Sequence, residues 1–148
     1  MTTTNSNALE EAQIRTLMDE RAKALRAKDI DGATSNLVPD VLSFDVVNPL
    51  QYSGSEAVRK RLEAWFSSFH GPIGFEMRDL SITAGADVAF CRCLNHVSAT
   101  TVDGGKLDMW WRDTVCFAKT DGHWKITHEH SSVPFDAETG KASLGLKP

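Results

Sequence analysis

The chain has 148 residues, 41% of them hydrophobic, and a formal net charge of −4 at pH 7. This length suits one domain, and we expect it to span residues 1–148, with a core over residues 8–135 and an extended tail over residues 136–148. Scattered Lys and Arg residues argue against binding to nucleic acid or to a membrane surface. No apolar run approaches the ~18 residues of a membrane span, and the odd count of three cysteines is no disulfide framework. We therefore expect a cytoplasmic protein.

The N-terminal half of the chain is expected to be mostly helical. Apolar residues at helical spacing predict a first helix over residues 8–28. A short second helix is expected to carry Leu37 and to end before Pro39, because proline disfavours helix at the residue before it. Residues 41–47 then have the pattern of a strand, and residues 53–69 have the apolar stripe of a third helix.

Beyond residue 72 the pattern changes from helix to strand. The predicted strands cover residues 74–83, 88–100, 107–119 and 123–133. Short turn sequences such as Asp121-Gly122 separate them, which predicts an antiparallel meander. Long strands twist and cannot remain flat. The sequence therefore predicts an α+β fold in which a cone-shaped, strongly curved antiparallel sheet wraps around three N-terminal helices and leaves a cavity.

The last predicted strand changes from apolar to titratable residues. Trp124 and Ile126 alternate as a buried strand face does, and His128, Glu129 and His130 follow. Titratable groups at the end of an apolar strand indicate a sheet that runs from a packed core into a polar cavity. We expect the two histidines to share the face of Trp124, with Glu129 on the opposite face unless a bulge shifts the alternation.

The order of these elements, with the closing segments 121–124 and 128–132, resembles the nuclear-transport-factor-2-like superfamily. Within it, the chain is most similar to SnoaL-like and ketosteroid-isomerase-like proteins, over about residues 8–135. The closing segments are similar also to the association domain of calmodulin-dependent kinase, which is an assembly module. Members of this fold include isomerases, cyclases, dehydratases, hydrolases and scaffolds, so the chemistry must be argued from the site.

The resemblance to ketosteroid isomerases places Asp45 at the position of that family's general base, just after the first strand. The alternative is a turn aspartate that precedes Asn48 and Pro49. The tyrosine of the family's oxyanion hole would fall near Arg21 and its protonated aspartate near Thr114, so those two donors are missing.

We expect catalysis, if it occurs, to use an acid–base pair. Asp45 would abstract a proton, and one of His96, His128 and His130 would donate one. Two alternatives remain open for the histidines: hydrogen-bonded structural residues, or a zinc site in which His96 adds a third ligand to the other two. We expect no metal and no other cofactor, since the superfamily that the chain resembles seldom uses metals.

The substrate-binding residues are expected to be aromatic side chains and one cation. They are Tyr52, Trp65, Phe66, Trp110, Arg112 and Trp124. The predicted floor of the cavity consists of Leu17, Leu62, Trp65 and Phe66, with Trp124 and Ile126 opposite. Its predicted mouth gathers Asp45, His96, Arg112, His128 and His130. Arg112 has a structural alternative, an ion pair with Asp108, Asp113 or Glu129.

Two functions follow as hypotheses. The first is a small-molecule-binding protein of the ketosteroid-isomerase-like type, acting as a lyase, isomerase or cyclase on a mostly apolar substrate with a carbonyl group. The second is a ligand-binding or oligomerisation module without catalysis, as in the kinase association domain. In both cases we expect a homodimer, because the outer face of the meander carries alternating apolar residues.

Overall fold

The computed structural model describes residues 2–148, with side chains described from residue 7 onward. Over this range the elements are α1 (Thr2–Arg26), α2 (Ile30–Thr34), β1 (Leu37–Phe44), β2 (Tyr52–Ser53), α3 (Ser55–Ser67), β3 (Phe69–Ala84), β4 (Val88–Thr101), β5 (Lys106–Thr120) and β6 (His123–Ser132). The predicted α+β fold is confirmed. None of the helices within residues 2–148 combines the length and the apolar content that a bilayer span requires.

A single six-stranded sheet, counted over the described residues, organises the fold in the order β2-β1-β6-β5-β4-β3. Neighbouring strands are antiparallel except β1 and β6, which are parallel, so the prediction of a wholly antiparallel sheet is wrong at this one pair. The strands β3, β4 and β5 have 14 to 16 residues each, and twist accumulated over that length curves the sheet.

The core lies between α1 and the concave face of the sheet. Ile14 and Met18 of α1 pack in one buried cluster with Val115 of β5 and Ile126 of β6. These side chains are 0–3% exposed, and burying an aliphatic side chain to this extent contributes about 1.5–3 kcal/mol. A second buried cluster, which includes Phe66 of α3, continues the core toward the cavity described below.

Several boundaries differ from the sequence-based prediction, among them β1, which spans Leu37–Phe44 and not residues 41–47. The second helix ends at Thr34, and Leu37 belongs to β1, where it lies opposite Ile126. Burial against the sheet has here outweighed helical spacing. Strand β3 begins at Phe69, five residues earlier than expected. The pairing of β3 with β4 is irregular just before Gly74, and proline is tolerated at such irregularities.

The C-terminal segment, expected to be extended, folds back on itself. Phe135 and Ala142 form an isolated antiparallel bridge. Between them, a carboxylate oxygen of Asp136 accepts hydrogen bonds from the backbone N–H groups of Glu138 (2.8 Å) and Thr139 (3.3 Å). Aspartate side chains stabilise tight turns in this way, so local turn chemistry explains the difference.

Candidate functional site

A cavity of about 160 Å³ lies between the concave face of the sheet and helices α1 and α3. Its apolar lining consists of Met18, Ala22, Leu25, Ala33, Val46, Val58, Leu62, Trp65, Phe75, Met77, Val97, Leu107, Met109 and Trp111. Its polar lining consists of Arg21, Ser43, Asp45, Tyr52, Arg61, Asn95, Asp113, Glu129 and Ser131. A mostly apolar cavity with a few convergent polar groups is typical of small-molecule sites.

One bulge in β6 decides which side chains reach this cavity. Ile126 lies opposite Phe117 of β5, whereas His128 lies opposite Cys116, so Thr127 is an extra residue in β6. An extra residue of this kind inverts the alternation of the side chains that follow it.

Because of this inversion, Glu129 and Ser131 line the cavity, and His128 and His130 do not. Trp124, before the bulge, remains in the core. The prediction that both histidines share the face of Trp124 is therefore wrong. Glu129 was expected on the outer face unless a bulge shifts the alternation, and the bulge at Thr127 does shift it.

An ion cluster at the concave face joins α1, β5 and β6. The guanidinium of Arg21 donates to both carboxylate oxygens of Glu129, from Nη2 at 2.5 Å and from Nη1 at 3.3 Å. Asp113 is only 3% exposed. Its Oδ2 accepts a hydrogen bond from Nδ2 of Asn95 (3.1 Å), and its Oδ1 accepts one from Oγ of Ser131 (2.9 Å). We call Asp113 and Glu129 the carboxyl pair.

The two members of the carboxyl pair have pKa shifts in opposite directions. Burial, followed by the charge of Glu129, raises the pKa of Asp113 well above its ordinary value. Burial also acts to raise the pKa of Glu129, but the charge of Arg21 and a hydrogen bond from Asp113 outweigh it and lower that pKa. These directions favour a neutral carboxyl group at Asp113 and a carboxylate at Glu129.

Arg21 keeps this arrangement neutral as a whole. Burial alone acts to lower the pKa of Arg21, but the adjacent Glu129 carboxylate raises it, so the guanidinium stays charged. The positive charge of Arg21 compensates the negative charge of Glu129. Such compensation is needed because an unpaired buried charge is strongly unfavourable.

Asp45, the predicted base, lines the cavity from the end of β1. Its Oδ2 accepts a hydrogen bond from Nε of Arg61 on α3 at 3.0 Å. The two side chains are 23% and 24% exposed, and we call this part of the cavity its open end. None of the three predicted histidines lines the cavity, so the expected Asp–His pair is replaced by an Asp–Arg pair.

His96 lies on the outer face of the sheet, outside the cavity. Its ring stacks on Trp110 with centroids 4.5 Å apart. Its Nδ1 is 2.9 Å from the Glu76 carboxylate and its Nε2 is 2.8 Å from that of Asp108. The hydrogen bond to Asp108, more than that to Glu76, raises the pKa of His96. The expected places of His96 and Trp110 in the pocket are therefore wrong.

The other polar residues of the predicted mouth also lie outside the cavity. Arg112 donates from Nε to Oγ of Ser132 at 3.1 Å. Nδ1 of His128 is 2.6 Å from the carbonyl oxygen of Leu42, so this nitrogen carries the proton. His130 packs edge-on against an aromatic ring of β1. No group of three His, Cys, Asp or Glu side chains within the described part of the chain is arranged to hold a metal ion.

Besides Asp45, three of the predicted pocket residues line the cavity. They are Tyr52, Leu62 and Trp65, contributed by β2 and α3. Trp65 is held edge-on against Phe69, with ring centroids 5.1 Å apart. The apolar stripe of α3 was thus correctly assigned to the cavity at these positions.

The remaining residues of the predicted floor belong to the core. Phe66, Leu17 and Ile126 pack in the buried clusters and do not line the cavity. Trp124 is 5% exposed, and its indole Nε1 donates to the Glu10 carboxylate at 2.7 Å. These side chains are buried in the core, so their expected place in the cavity lining is wrong.

The carboxyl pair and Arg21 are the functional candidates that the sequence patterns missed. The resemblance places a protonated aspartate near Thr114, and the structure has a buried aspartate with a raised pKa at Asp113, a single residue earlier. A slip of one residue along a strand moves a side chain to the other face of the sheet. One feature of the sequence could have indicated this site. Trp111, Asp113 and Val115 are alternate residues of one strand and share a face, and Asp113 is the polar residue between two apolar ones.

Comparisons with known proteins agree with this architecture. The family model for the SnoaL-like domain matches residues 14–136. A crystal structure of an NTF2-like protein of unknown function from Pseudomonas putida KT2440 is 33% identical, with a TM-score of 0.87, and the match covers 95% of this chain and 98% of that one. No curated protein matches the chain.

Two further structures share the fold at lower identity. One is a proposed calcium/calmodulin dependent protein kinase II association domain from Xanthomonas campestris (21% identity, TM-score 0.70, 80% of this chain and 84% of that one). The other is a proposed dehydratase of the NTF2-like family from Streptomyces avermitilis (17% identity, TM-score 0.71, 82% and 93%). On the family match and the Pseudomonas structure together, the chain belongs to the SnoaL-like family of the NTF2-like superfamily.

Proposed function

We propose that the chain binds a mostly apolar small molecule with a carbonyl group and transfers a proton on it, as an isomerase, lyase or cyclase does. The observation that carries this proposal is the carboxyl pair in a mostly apolar cavity. Its two pKa values are shifted in opposite directions. Two titratable groups separated in this way are the usual sign of an acid and a base.

Glu129 is the base in this proposal and Asp113 is the acid. The Glu129 carboxylate takes a proton from the carbon next to the carbonyl group, and the electrons of that C–H bond form a carbon–carbon double bond. The electrons of the carbonyl π bond move to its oxygen, which receives the proton of Asp113. Return of a proton at a different carbon completes an isomerisation, whereas loss of a leaving group completes an elimination.

The surroundings of the carboxyl pair favour this chemistry. Arg21 keeps Glu129 ionised, and Asn95 and Ser131 hold the Asp113 carboxyl group in a fixed orientation. Fixed dipoles in a dry cavity stabilise a developing oxyanion more strongly than water does. Asp45, paired with Arg61 at the open end, is the second candidate for the base.

Proton exchange tests the proposal without a known substrate. Small ketones are incubated with the protein in D₂O, and replacement of their α-protons by deuterium is followed by NMR. We expect wild-type protein to exchange at least one ketone. Glu129→Gln and Asp113→Asn should each lower that rate about 10²-fold or more. The control is His130→Asn on the outer face, which should retain the wild-type rate.

The same assay separates the two bases and the two hypotheses. If Asp45→Asn lowers exchange as Glu129→Gln should, and Glu129→Gln leaves it unchanged, the base is Asp45. If ketones bind and none is exchanged, the chain is the non-catalytic ligand-binding module of the alternative hypothesis.

A further inference from the structure

We propose that Arg61 determines the ligand class by donating hydrogen bonds to a neutral acceptor oxygen on a ligand with a single aromatic ring. This proposal rests on the proposed function and adds a second point of recognition, at the open end of the cavity. The carbonyl group that reacts lies at the carboxyl pair. The acceptor oxygen lies at the other end of the ligand.

Within the part of the chain that the structure describes, Arg61 has no partner at either terminal nitrogen, whereas in Arg21 only the buried Nε lacks a partner. Arg21 uses both terminal nitrogens on Glu129. Arg61 uses only Nε, on Asp45, and neither of its Nη groups has a hydrogen-bond partner among the described residues. Each Nη group carries two N–H donors, so the guanidinium presents several free donors at the cavity wall. The Arg61 side chain is only 24% exposed.

The apolar wall fits an aromatic ring. It contains three aromatic side chains and three thioethers, those of Phe75, Trp65, Trp111, Met18, Met77 and Met109. Aromatic rings and methionine sulfur both make favourable contacts with a bound ring. The volume of about 160 Å³ is close to that of cavities, roughly 150 Å³, that hold one benzene molecule. The cavity is thus suited to one ring and its substituents.

The charges of the lining favour a neutral ligand. Arg21 is matched by Glu129 and Arg61 by Asp45, while Asp113 is neutral. The formal charge of the lining is therefore zero. A carboxylate or ammonium group on the ligand would lose its hydration and find no unpaired charge of opposite sign in the cavity. An amide, ester or ketone oxygen can accept from Arg61 without this penalty.

Three matched probes test the assignment: 4-acetylbenzamide, 4-acetylbenzoate and acetophenone, titrated into wild-type protein by calorimetry. The amide should bind about tenfold more tightly than acetophenone, since a hydrogen bond from a charged donor is worth at least this factor. It should also bind more tightly than the benzoate. Arg61→Met should remove the preference for the amide over acetophenone.

The matched control is Arg59→Met, two residues away on α3. Arg59 pairs with Asp31 and Glu63 outside the cavity, so this variant should retain the full preference. Arg61→Met leaves Asp45 without its partner, so the double variant Asp45→Asn/Arg61→Met is measured as well. It keeps the test decisive if the single variant does not fold.

Three outcomes would overturn the assignment. They are tighter binding of the benzoate, a preference for the amide that survives in folded Arg61 variants, and no binding of any aromatic probe by folded wild-type protein. Failure of the proposed function gives a different result. In that case the amide preference depends on Arg61 as expected, but bound ketones exchange no α-protons, in wild type or in Glu129→Gln.

Discussion

The two faces of the sheet carry the same kinds of side chain in opposite surroundings. On the outer face, Glu76 and Asp108 are 60% exposed and flank His96. On the concave face, Asp113 is 3% exposed, and its burial raises the pKa of its carboxyl group. Water screens the outer cluster, so its ion pairs contribute little. In the inner cluster, burial raises the pKa of Asp113, while the charge of Arg21 outweighs burial and lowers the pKa of Glu129.

The largest expected difference between the two faces is the loss of stability when an arginine is replaced on each of them. Arg21→Met should destabilise the protein by about 3–5 kcal/mol, because it leaves the buried Glu129 carboxylate without its partner. Arg112→Met, an exposed outer-face change that removes one hydrogen bond to Ser132, should stay within about 0.5 kcal/mol of wild type. Urea denaturation measures both. Equal losses would mean that the two faces do not differ energetically.

Much of the fold can be predicted from the sequence, because the hydrophobic patterns of its strands are long and regular. Strand β4 was predicted over residues 88–100 and spans Val88–Thr101, and β5 was predicted over residues 107–119 and spans Lys106–Thr120. Turn sequences fix such ends locally, so they can be read without tertiary information. The error at the end of α2 has the opposite cause: the helix ends at Thr34, and the pairing of Leu37 with β6 is a tertiary contact.

The site was harder to predict from the sequence, because the residues that line it depend on which face of the strand each side chain occupies. A strict alternation from Trp124 places His128 and His130 inside and Glu129 outside. The bulge at Thr127 reverses this, and nothing in the residues around it distinguishes a bulged strand from a regular one. Asp45 depended on no such alternation, since it follows the end of β1, and it does line the cavity.

We also propose that the outer face, in contrast to the concave one, is used for self-association into a homodimer. Phe90 of β4 is 47% exposed there. Light scattering after size exclusion should give a dimer for wild type and a monomer for Phe90→Glu, since truncating or charging an interface anchor costs about 2 kcal/mol or more. The control is Leu50→Glu, in a loop and 94% exposed, which should remain dimeric. A wild-type monomer at micromolar concentration would contradict the proposal.

The pH dependence of stability tests the raised pKa of Asp113 on the concave face. Burial raises the pKa of Asp113 in the folded state, so the folded protein binds a proton that the unfolded chain has lost above about pH 4. Wild-type stability should therefore fall as pH rises from about 4 toward the raised pKa, by at most about 1.4 kcal/mol per pH unit. Asp113→Asn cannot ionise, and its stability relative to wild type should increase over the same range. Thermal unfolding from pH 5 to 9 measures the difference, with Asp40→Asn at an exposed position of β1 as the control. Parallel profiles for Asp113→Asn and wild type would show that Asp113 holds no proton in the folded protein at these pH values.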